Sequence, residues 1–236
     1  MLDFYKKFAG RSAARLWSEP WLQGLDTETH TALIACSTVK SFPKKKTIFW
    51  IGDVADGLWG VLTGSVAQSA APNEHGPMMF QMHQPGSWFG VSSLYEPRLR
   101  TTTNVTARSA SLVHLPLPAL ERIGARAPHL WRCLGNLSAH LLTEMTGSLE
   151  DALHRPGRER IIATILRLGN VRHERMDLPT HVEIDVTQGD LAHLTGLSRT
   201  VVAKHLTSLR KEGLVLCSYG RLKIVEIDRL RNCLRE

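Results

Sequence analysis

The residues best placed for chemistry lie at the start of an amphipathic segment. This segment is part of residues 186–215, VTQGDLAHLTGLSRTVVAKHLTSLRKEGLV. Val202, Leu206 and Leu209 recur at helical spacing, so one face of this segment is expected to pack in a core. The other face carries, in its first turns, Ser198, Arg199, Thr200, Ala203 and Lys204. Arginine can donate to guanine O6 and N7 together, and lysine can reach a base or a phosphate. The pattern therefore predicts recognition of a polyanion, and of base edges in a major groove in particular.

Local signals in the same stretch predict the two helices that hold this polar face. Thr187 followed three positions later by Asp190 is a capping-box pattern, which predicts a short helix over 188–194. After a turn that contains glycine, Ser198 is a favourable N-cap for a second helix that ends near Glu212. The polar side chains then lie at the start of the second helix.

The flanking sequence completes a small module. RERIIATILRLG at 158–169 is expected to form a helix, and HVEIDV at 181–186 alternates like a strand. LVLCSYGRLKIVEI at 214–227 consists of two short alternating runs around a turn, which predicts a hairpin. Together these elements predict a winged helix-turn-helix. Its predicted DNA-binding residues are Thr187, Gln188, Ser198, Arg199, Thr200, Ala203, Lys204 and Arg221.

Composition and charge fit a protein whose C-terminal part binds a polyanion. Residues 154–236 contain 15 Lys and Arg against 10 Asp and Glu, a net charge of +5, whereas residues 1–153 contain 14 against 12. No run of about 18 apolar residues exists and no secretory signal is recognisable, so we expect no membrane partner. The 4 cysteines are scattered, which predicts reduced thiols in the cytoplasm rather than metal ligands.

The segment from Val39 to about Leu117 has a different pattern. Short runs such as TIFWI, LWGVLTGSV and SLVHL are separated by glycine, proline, asparagine and aspartate. This spacing is typical of an antiparallel sandwich or barrel of many short strands. Positive φ angles, which glycine adopts at little cost, are expected at the turn residues Gly52, Gly57, Gly64, Gly86 and Gly90.

A long amphipathic helix is predicted between the two regions. Its apolar residues, which we predict to mediate dimerisation, are Leu130, Leu134, Leu137, Leu141, Met145 and Leu149. Such a helix either lies across its own sheet or pairs with the same helix of a second copy, and the length of the stripe favours pairing. Pro156-Gly157 is expected to end it. The predicted domains are 1–120, the β domain; 121–155, the dimerisation helix; and 156–236, the DNA-binding module.

Residues 22–234 resemble the Crp/Fnr superfamily of bacterial transcription regulators. The similarity is carried by DVTQGDLAHLTGLSRTVVAKHLTSLRKEGLV, by FWIGDVADGLWGVLTGSV at 49–66 and by PGSWFG at 85–90. The resemblance implies an α+β fold with an N-terminal antiparallel β jelly roll, similar to cyclic-nucleotide-binding domains, that acts as a sensor. It further implies a homodimer that binds double-stranded DNA at palindromic promoter sites and works with RNA polymerase.

The second helix departs from the family pattern at two positions. Thr200 stands where the family commonly has a glutamate, and Lys204 stands where an arginine is usual. The missing glutamate removes an acceptor for cytosine N4. The half-site that is familiar in the family is therefore not expected to transfer to this chain.

The sequence of the predicted sensor domain departs further from the family pattern. The family's effector pocket falls on Phe89, Gly90, Val91, Arg100, Thr101, Met145 and Thr146. Cyclic-AMP binders have a glutamate where Val91 stands, and Met145-Thr146 replaces the pair that meets adenine. Arg100-Thr101 fits the phosphate-binding pair, one residue closer than usual. These differences disfavour cyclic AMP and leave the effector unassigned, while Arg100 either binds another anion or braces its loop.

Two other functions were weighed against a DNA-binding regulator. A cyclic-nucleotide-responsive regulator would use Arg100 in a modified pocket. A metal-dependent jelly-roll enzyme of cupin type would need closely spaced histidines and a carboxylate, whereas His75 and His83 show neither HxH nor HxxxH spacing. We therefore expect no enzymatic activity, catalytic residue, metal or cofactor, and a location in the cytoplasm.

Overall fold

The computed structural model describes residues 11–70, 78–95, 98–172 and 182–235. Its contacts divide the chain into two compact units, Met1–Thr143 and Glu144–Glu236. The N-terminal unit contains antiparallel sheets and helices, and the C-terminal unit contains helices around a small sheet. The predicted α+β fold class is confirmed.

The N-terminal unit contains two four-stranded sheets, with strand orders β1-β8-β3-β6 and β2-β7-β4-β5. Its strands are β1 Thr38–Phe42, β2 Thr47–Phe49, β3 Gly57–Thr63, β4 Val66–Ser69, β5 Met79–His83, β6 Trp88–Phe89, β7 Thr103–Thr106 and β8 Ala110–Pro116. All the pairings are antiparallel, and the strands are short, as the spacing of turn residues predicts. The five turn glycines do have positive φ angles. At Gly64 a Cβ would lie 2.2 Å from the carbonyl oxygen of Ser109, so the sharp turn between β3 and β4 requires glycine.

Helices pack against this β structure, and the last of them extends into the second unit. They are α1 Arg11–Trp17, α2 Pro20–Gln23, α3 Thr27–Cys36, α4 Leu117–Arg126 and α5 His129–His154, with a 3-10 turn at Val91–Leu94. The single helix predicted over 121–155 is wrong, because Pro128 follows a break after Arg126 and disfavours continuing helical structure in the residue before it. The boundary between the compact units lies inside α5, so the hinge at Pro156-Gly157 stays a prediction.

The first half of α5 belongs to the core of the N-terminal unit. Leu130, Leu134 and Leu137 are 0%, 0% and 4% exposed and pack in one apolar cluster with residues of α1 to α4. Leu141 is partly buried against the same cluster. Dimerisation through this half of the stripe stays a prediction, and the burial of Leu130, Leu134 and Leu137 within their own chain argues against it.

The C-terminal unit is a winged helix-turn-helix, as predicted. Its elements after α5 are α6 Gly157–Leu168, β9 Val182–Ile184, α7 Gln188–Thr195, α8 Arg199–Lys211, β10 Val215–Ser218, β11 Arg221–Ile224 and α9 Ile227–Asn232. The strands form one antiparallel sheet in the order β10-β11-β9. Three buried side chains of α8, Val202, Leu206 and Leu209, anchor that helix in the core.

Candidate functional site

A side-chain cap fixes the N-terminus of each of the two helices α7 and α8. Thr187 Oγ1 accepts a hydrogen bond from the amide of Asp190 at 3.0 Å, and the amide of Thr187 donates to Asp190 Oδ2 at 2.8 Å. Gly196 follows α7 with a φ of +65°, which glycine tolerates. Ser198 Oγ accepts from the amide of Val201 and starts α8. The capping residues inferred from the sequence are confirmed.

The exposed face of α8 contains most of the predicted DNA-binding residues. Arg199, Thr200 and Lys204 are exposed, and Ala203 is partly buried beside Lys204. Gln188, in the first turn of α7, is also exposed. The hydroxyls of Thr187 and Ser198 already cap helices, so their first role is to fix the positions of α7 and α8. Contacts of these residues with DNA stay a prediction.

Arg199 lies close to the start of α7. A Cβ built on Gly189 would lie 3.4 Å from Arg199 Nη2 and 3.5 Å from Arg199 Cζ, so the guanidinium rests against the backbone of that residue. This position brings the arginine of α8 and the exposed Gln188 to one surface.

An ion pair that sequence reasoning missed holds the far end of α8. Glu212, the C-cap of α8, accepts from Arg158 Nη1 and Nη2 at 2.9 and 2.7 Å, and from Ser208 Oγ at 2.8 Å. Hydrogen bonds from Arg158 and Ser208 lower the pKa of Glu212 to about 2. Only the spacing of Ser208 and Glu212, one helical turn apart, was a signal in the sequence. Arg158 thus links the start of α6 to the C-terminal end of α8.

The wing lies beside the same surface. Arg221, in β11, forms an ion pair with Asp185 at 3.1 Å, and its side chain is 64% exposed. A crevice of about 270 Å³ separates the hairpin from α7. Its lining includes Thr187, Gln188, Tyr219 and Arg221. The structure thus brings the predicted residues of α7, α8 and the wing together in one unit.

In the N-terminal unit, Arg100 braces the loop after β6. Its side chain is fully buried, and it donates from Nη1 to the carbonyl of Gly90 at 2.9 Å and from Nη2 to the carbonyl of Gly57 at 2.7 Å. Nη2 also contacts Asp56 Oδ1 at 2.5 Å. Gly90 has a φ of +85°, and a Cβ there would lie 2.7 Å from Arg100 Nη1. Phe89 and Val91, on either side, are 1% and 2% exposed.

Asp56 is the residue that the sequence did not single out in this region. Besides Arg100, it accepts from Trp59 Nε1 at 3.2 Å and lies 3.2 Å from His114 Nε2. Burial alone would raise the pKa of Asp56, but hydrogen bonds from His114 and Arg100 hold it well below the ordinary value. The ionised carboxylate therefore balances the buried guanidinium at neutral pH.

The other predicted pocket residues are distributed between the units. Thr101 is exposed, and its hydroxyl lies 3.5 Å from Ser92 Oγ. Met145 and Thr146 lie in the C-terminal unit, on the exposed surface of α5. The role of these residues in an effector pocket stays a prediction.

A chain of hydrogen-bonded polar side chains links two buried residues of the N-terminal unit, His83 and Asn104, through the partly buried Gln68 and Thr102. His83 Nε2 lies 2.8 Å from Gln68 Oε1, Gln68 Nε2 donates to Thr102 Oγ1 at 2.9 Å, and Thr102 Oγ1 donates to Asn104 Oδ1 at 3.1 Å. His83 also stacks on Phe89, with ring centroids 5.0 Å apart. Burial lowers the pKa of His83 to about 4, so the imidazole is neutral at pH 7. The interior beside Phe89 is thus polar on one side.

The described ranges contain neither a metal cluster nor a membrane-spanning helix. Within them, no group of at least three histidine, cysteine, aspartate or glutamate side chains is arranged to hold a metal ion. No helix in the same ranges has the length and apolar character needed to span a membrane. His75, which was weighed as a metal ligand, lies outside the described residues.

Comparison with protein-family models identifies both units. The model of the Crp-like helix-turn-helix domain matches residues 159–233. The model of the cyclic nucleotide-binding domain matches residues 39–127. The first match begins within α6 and extends past α9, and the second begins within β1 and includes the other seven strands described above for the N-terminal unit.

Individual proteins resemble the chain over most of its length. A CRP-like cAMP-activated global transcriptional regulator of Mycobacterium tuberculosis is 24% identical over 208 residues, 88% of this chain and 93% of that protein. The CRP-like protein Clp of Xanthomonas campestris is 25% identical over 197 residues, 81% and 85% of the two chains. The structure of FixK2 from Bradyrhizobium japonicum matches with a TM-score of 0.70 at 19% identity, over 83% and 96%, and thus shares the fold.

Proposed function

Because the chain belongs to the Crp/Fnr superfamily of transcription regulators, we propose that it acts as a homodimer on imperfectly palindromic promoter DNA. The observation that carries this proposal is the exposed polar face at the start of α8, held by the N-caps of α7 and α8 and the glycine turn between these helices. A two-fold symmetric protein reads two half-sites about one helical turn apart, roughly 34–36 Å. The net charge of +5 over residues 154–236 favours the approach of this unit to DNA.

The reading of bases is assigned to the first turns of α8. Arg199 has the donor geometry for guanine, and it is the exposed arginine nearest the start of the helix. Lys204, one turn later, reaches a base or a phosphate. Thr200 contributes a hydroxyl and a methyl group instead of a carboxylate. We therefore propose no preference for cytosine at the base pair that Thr200 faces.

Arg199→Ala is expected to cost about 1–3 kcal/mol of binding free energy per half-site and to relax the preference at one base pair. The reason is that a bidentate contact to guanine discriminates among bases, whereas a phosphate contact does not. DNA selection followed by fluorescence anisotropy on the selected site and its single-base variants measures both effects.

Arg210→Ala is the matched control, since Arg210 is an exposed arginine in the last turn of the same helix. It is expected to leave the base preference unchanged. If Arg199→Ala weakened binding to every sequence equally, Arg199 would contact a phosphate, and its assignment as a base reader would be wrong.

The dimer is proposed to form through the second half of α5. Met145, Leu149 and Leu153 are 47%, 58% and 68% exposed, and they recur every four positions along one helix. Leu142, one turn earlier, is 65% exposed. Apolar side chains at this spacing form the seam of paired helices. This stripe replaces the buried leucines of the first half as the proposed contact.

For the signal, we propose that cyclic AMP neither binds at micromolar concentration nor is needed for DNA binding. The name of the mycobacterial relative states that it is cAMP-activated. In this chain, buried Val91 offers no acceptor to a ribose hydroxyl, which would cost about 1–3 kcal/mol on burial. Arg100 already donates to Asp56 and to two backbone carbonyls. The regulator would then respond to another small molecule or to its own abundance.

Isothermal titration of the full-length protein with cyclic AMP and with cyclic GMP is expected to give no heat of binding at micromolar ligand. DNA affinity measured in the same buffers is expected to stay constant as either nucleotide is added. A micromolar dissociation constant accompanied by a rise in DNA affinity would instead establish the alternative, a cyclic-nucleotide-responsive regulator that uses Arg100.

The remaining assignments follow from the same proposal. The mycobacterial relative is named a transcriptional regulator, and we propose that this chain likewise has no catalytic activity. It would work in the cytoplasm, where promoter DNA and RNA polymerase are accessible, and would contact the polymerase when bound beside a promoter.

A further inference from the structure

Three helix ends meet around a surface crevice of the N-terminal unit. The start of α3, the end of α4 and the start of α5 border this crevice, and its volume is about 370 Å³. This volume lies in the range of small-molecule sites. The crevice contains no residue of the predicted DNA-binding surface or of the predicted effector pocket. Its charged residues are Asp26, Glu28, Arg122, Arg126 and His129.

Two arginines give one side of the crevice its positive charge. Arg122 and Arg126 lie one turn apart in α4, and both are exposed. Within the described part of the chain, neither forms an ion pair or a side-chain hydrogen bond. The one acid of α4, Glu121, is already occupied, because it accepts from Arg98 at 2.7 Å. Like charges one turn apart repel each other, so this side of the crevice is suited to a ligand with negative charge.

The side of the crevice that α3 forms has negative charge. Glu28, in the first turn of α3, is exposed and forms no ion pair with any residue that the structure describes. Asp26 is already engaged, since its carboxylate accepts from the amide of Thr29 at 2.7 Å and lies 3.1 Å from His129 Nε2. Glu28 is therefore the acid of this crevice that remains available to a cation.

The lining also includes apolar surface. Ala32 and Ile123 border the crevice and are partly buried, and Ile123 packs against the core of the unit. Such a surface favours contact with a short hydrocarbon chain. The crevice thus offers two available cations, one available anion and an apolar surface to a single small molecule.

We propose that this crevice binds an acidic α-amino acid, a molecule with two carboxylates, one ammonium group and a short methylene chain. The two carboxylates pair with Arg122 and Arg126, because arginine and carboxylate form charge-assisted and often bidentate hydrogen bonds. The ammonium group pairs with Glu28, and the methylene chain lies against Ile123. A dicarboxylate without an amine leaves Glu28 without a partner, and an amino acid with a single carboxylate leaves one arginine without a partner.

Isothermal titration of the full-length protein with three ligands tests this inference. L-Glutamate is expected to bind with a dissociation constant of about 1 mM or below. Glutarate lacks the ammonium group, and L-glutamine lacks the second carboxylate. Each of them is expected to bind about tenfold more weakly, because one charge-assisted contact is lost.

Variants locate the site. Arg122→Ala and Arg126→Ala are each expected to weaken binding of L-glutamate about tenfold. Arg132→Ala is the matched control, since Arg132 is an exposed arginine of α5 that does not border the crevice, and it is expected to bind like the wild type. Glu28→Gln is expected to bind L-glutamate and glutarate with equal affinity, because the partner of the ammonium group is gone.

Three results would overturn the inference. The absence of binding heat with L-glutamate up to about 10 mM would exclude the site. An equal loss of affinity in Arg132→Ala would show that the positive charge of the whole surface attracts the ligand. A Glu28→Gln variant that still preferred L-glutamate to glutarate would exclude the ammonium contact. The titrations contain no DNA, so their outcome is independent of the proposed function, and the three ligands test the wild type without any variant.

Discussion

Asp151→Ala is expected to lower the free energy of unfolding of the C-terminal unit by roughly 3–5 kcal/mol. Asp151 is 1% exposed, and its carboxylate accepts from Arg155 Nε at 2.7 Å and from Arg172 Nη2 at 2.9 Å. Arg167 Nη2 and Arg172 Nη1 also donate to it. One carboxylate thus joins the end of α5 to α6 and to the residues after α6. Its removal leaves three arginines largely buried without their shared acceptor.

Urea unfolding of the full-length protein, followed by circular dichroism, measures the effect. Glu150→Ala is the matched control, because Glu150 is the neighbouring acid and is exposed. It is expected to change stability by less than about 0.5 kcal/mol. If Asp151→Ala were as stable as the Glu150 variant, the carboxylate would be dispensable and the three arginines would be solvated well enough without it.

The contribution of Asp151 to the free energy of unfolding also depends on pH, and the sign of this dependence follows from its pKa. Burial alone would raise the pKa of Asp151, but hydrogen bonds from Arg172 and Arg155 lower it below its ordinary value. A carboxyl whose pKa is lowered in the folded state contributes its stability above the unfolded pKa, and this contribution is lost as the pH falls through the folded pKa. The stability difference between wild type and Asp151→Asn is therefore expected to shrink at acidic pH.

Met145→Asp combined with Leu149→Asp is expected to convert the proposed dimer to monomers and to lower affinity for the proposed palindromic site by about 10²–10⁴-fold. Two carboxylates in an apolar seam would have to be desolvated on association. A monomer binds one half-site and loses the gain from simultaneous binding of the second. Multi-angle light scattering gives the mass, and anisotropy on full and half-sites gives the affinities.

Two further variants make the dimer experiment decisive. Thr143→Asp adds a charge to an exposed position of the same helix away from the apolar stripe, and it is expected to remain dimeric. Leu137→Asp is expected to lower the melting temperature of the N-terminal unit, because Leu137 packs within its own core. A stable dimer from the Met145 and Leu149 double variant would exclude the second half of α5 from the interface.

The sequence alone determined the elements whose signals lie within a few residues of one another. The capping box at Thr187 and the N-cap at Ser198 are local hydrogen bonds, so the residue types and their spacing were sufficient. The hairpin of the wing and the turn glycines were predictable for the same reason, since a turn depends on the conformations that its own residues allow.

Only the tertiary structure decided what the helical stripe of α5 contacts. Leu137 and Leu149 occupy the same periodic pattern, yet Leu137 is 4% and Leu149 is 58% exposed. Periodicity shows that a helix has an apolar face, but it does not show whether that face packs against its own chain or against another. The length of the stripe favoured pairing with a second copy over packing on the chain's own sheet, whereas in the structure the first half of the helix packs in the core of its own unit.

The tertiary structure also decided which charged residues meet. Asp56 lies 44 positions from Arg100, and Arg158 lies 54 positions from Glu212. No local pattern selects such partners among the many charged residues of the chain. Burial makes these pairings specific, because a buried charge requires an oppositely charged or hydrogen-bonding partner, and only the folded backbone brings the two together.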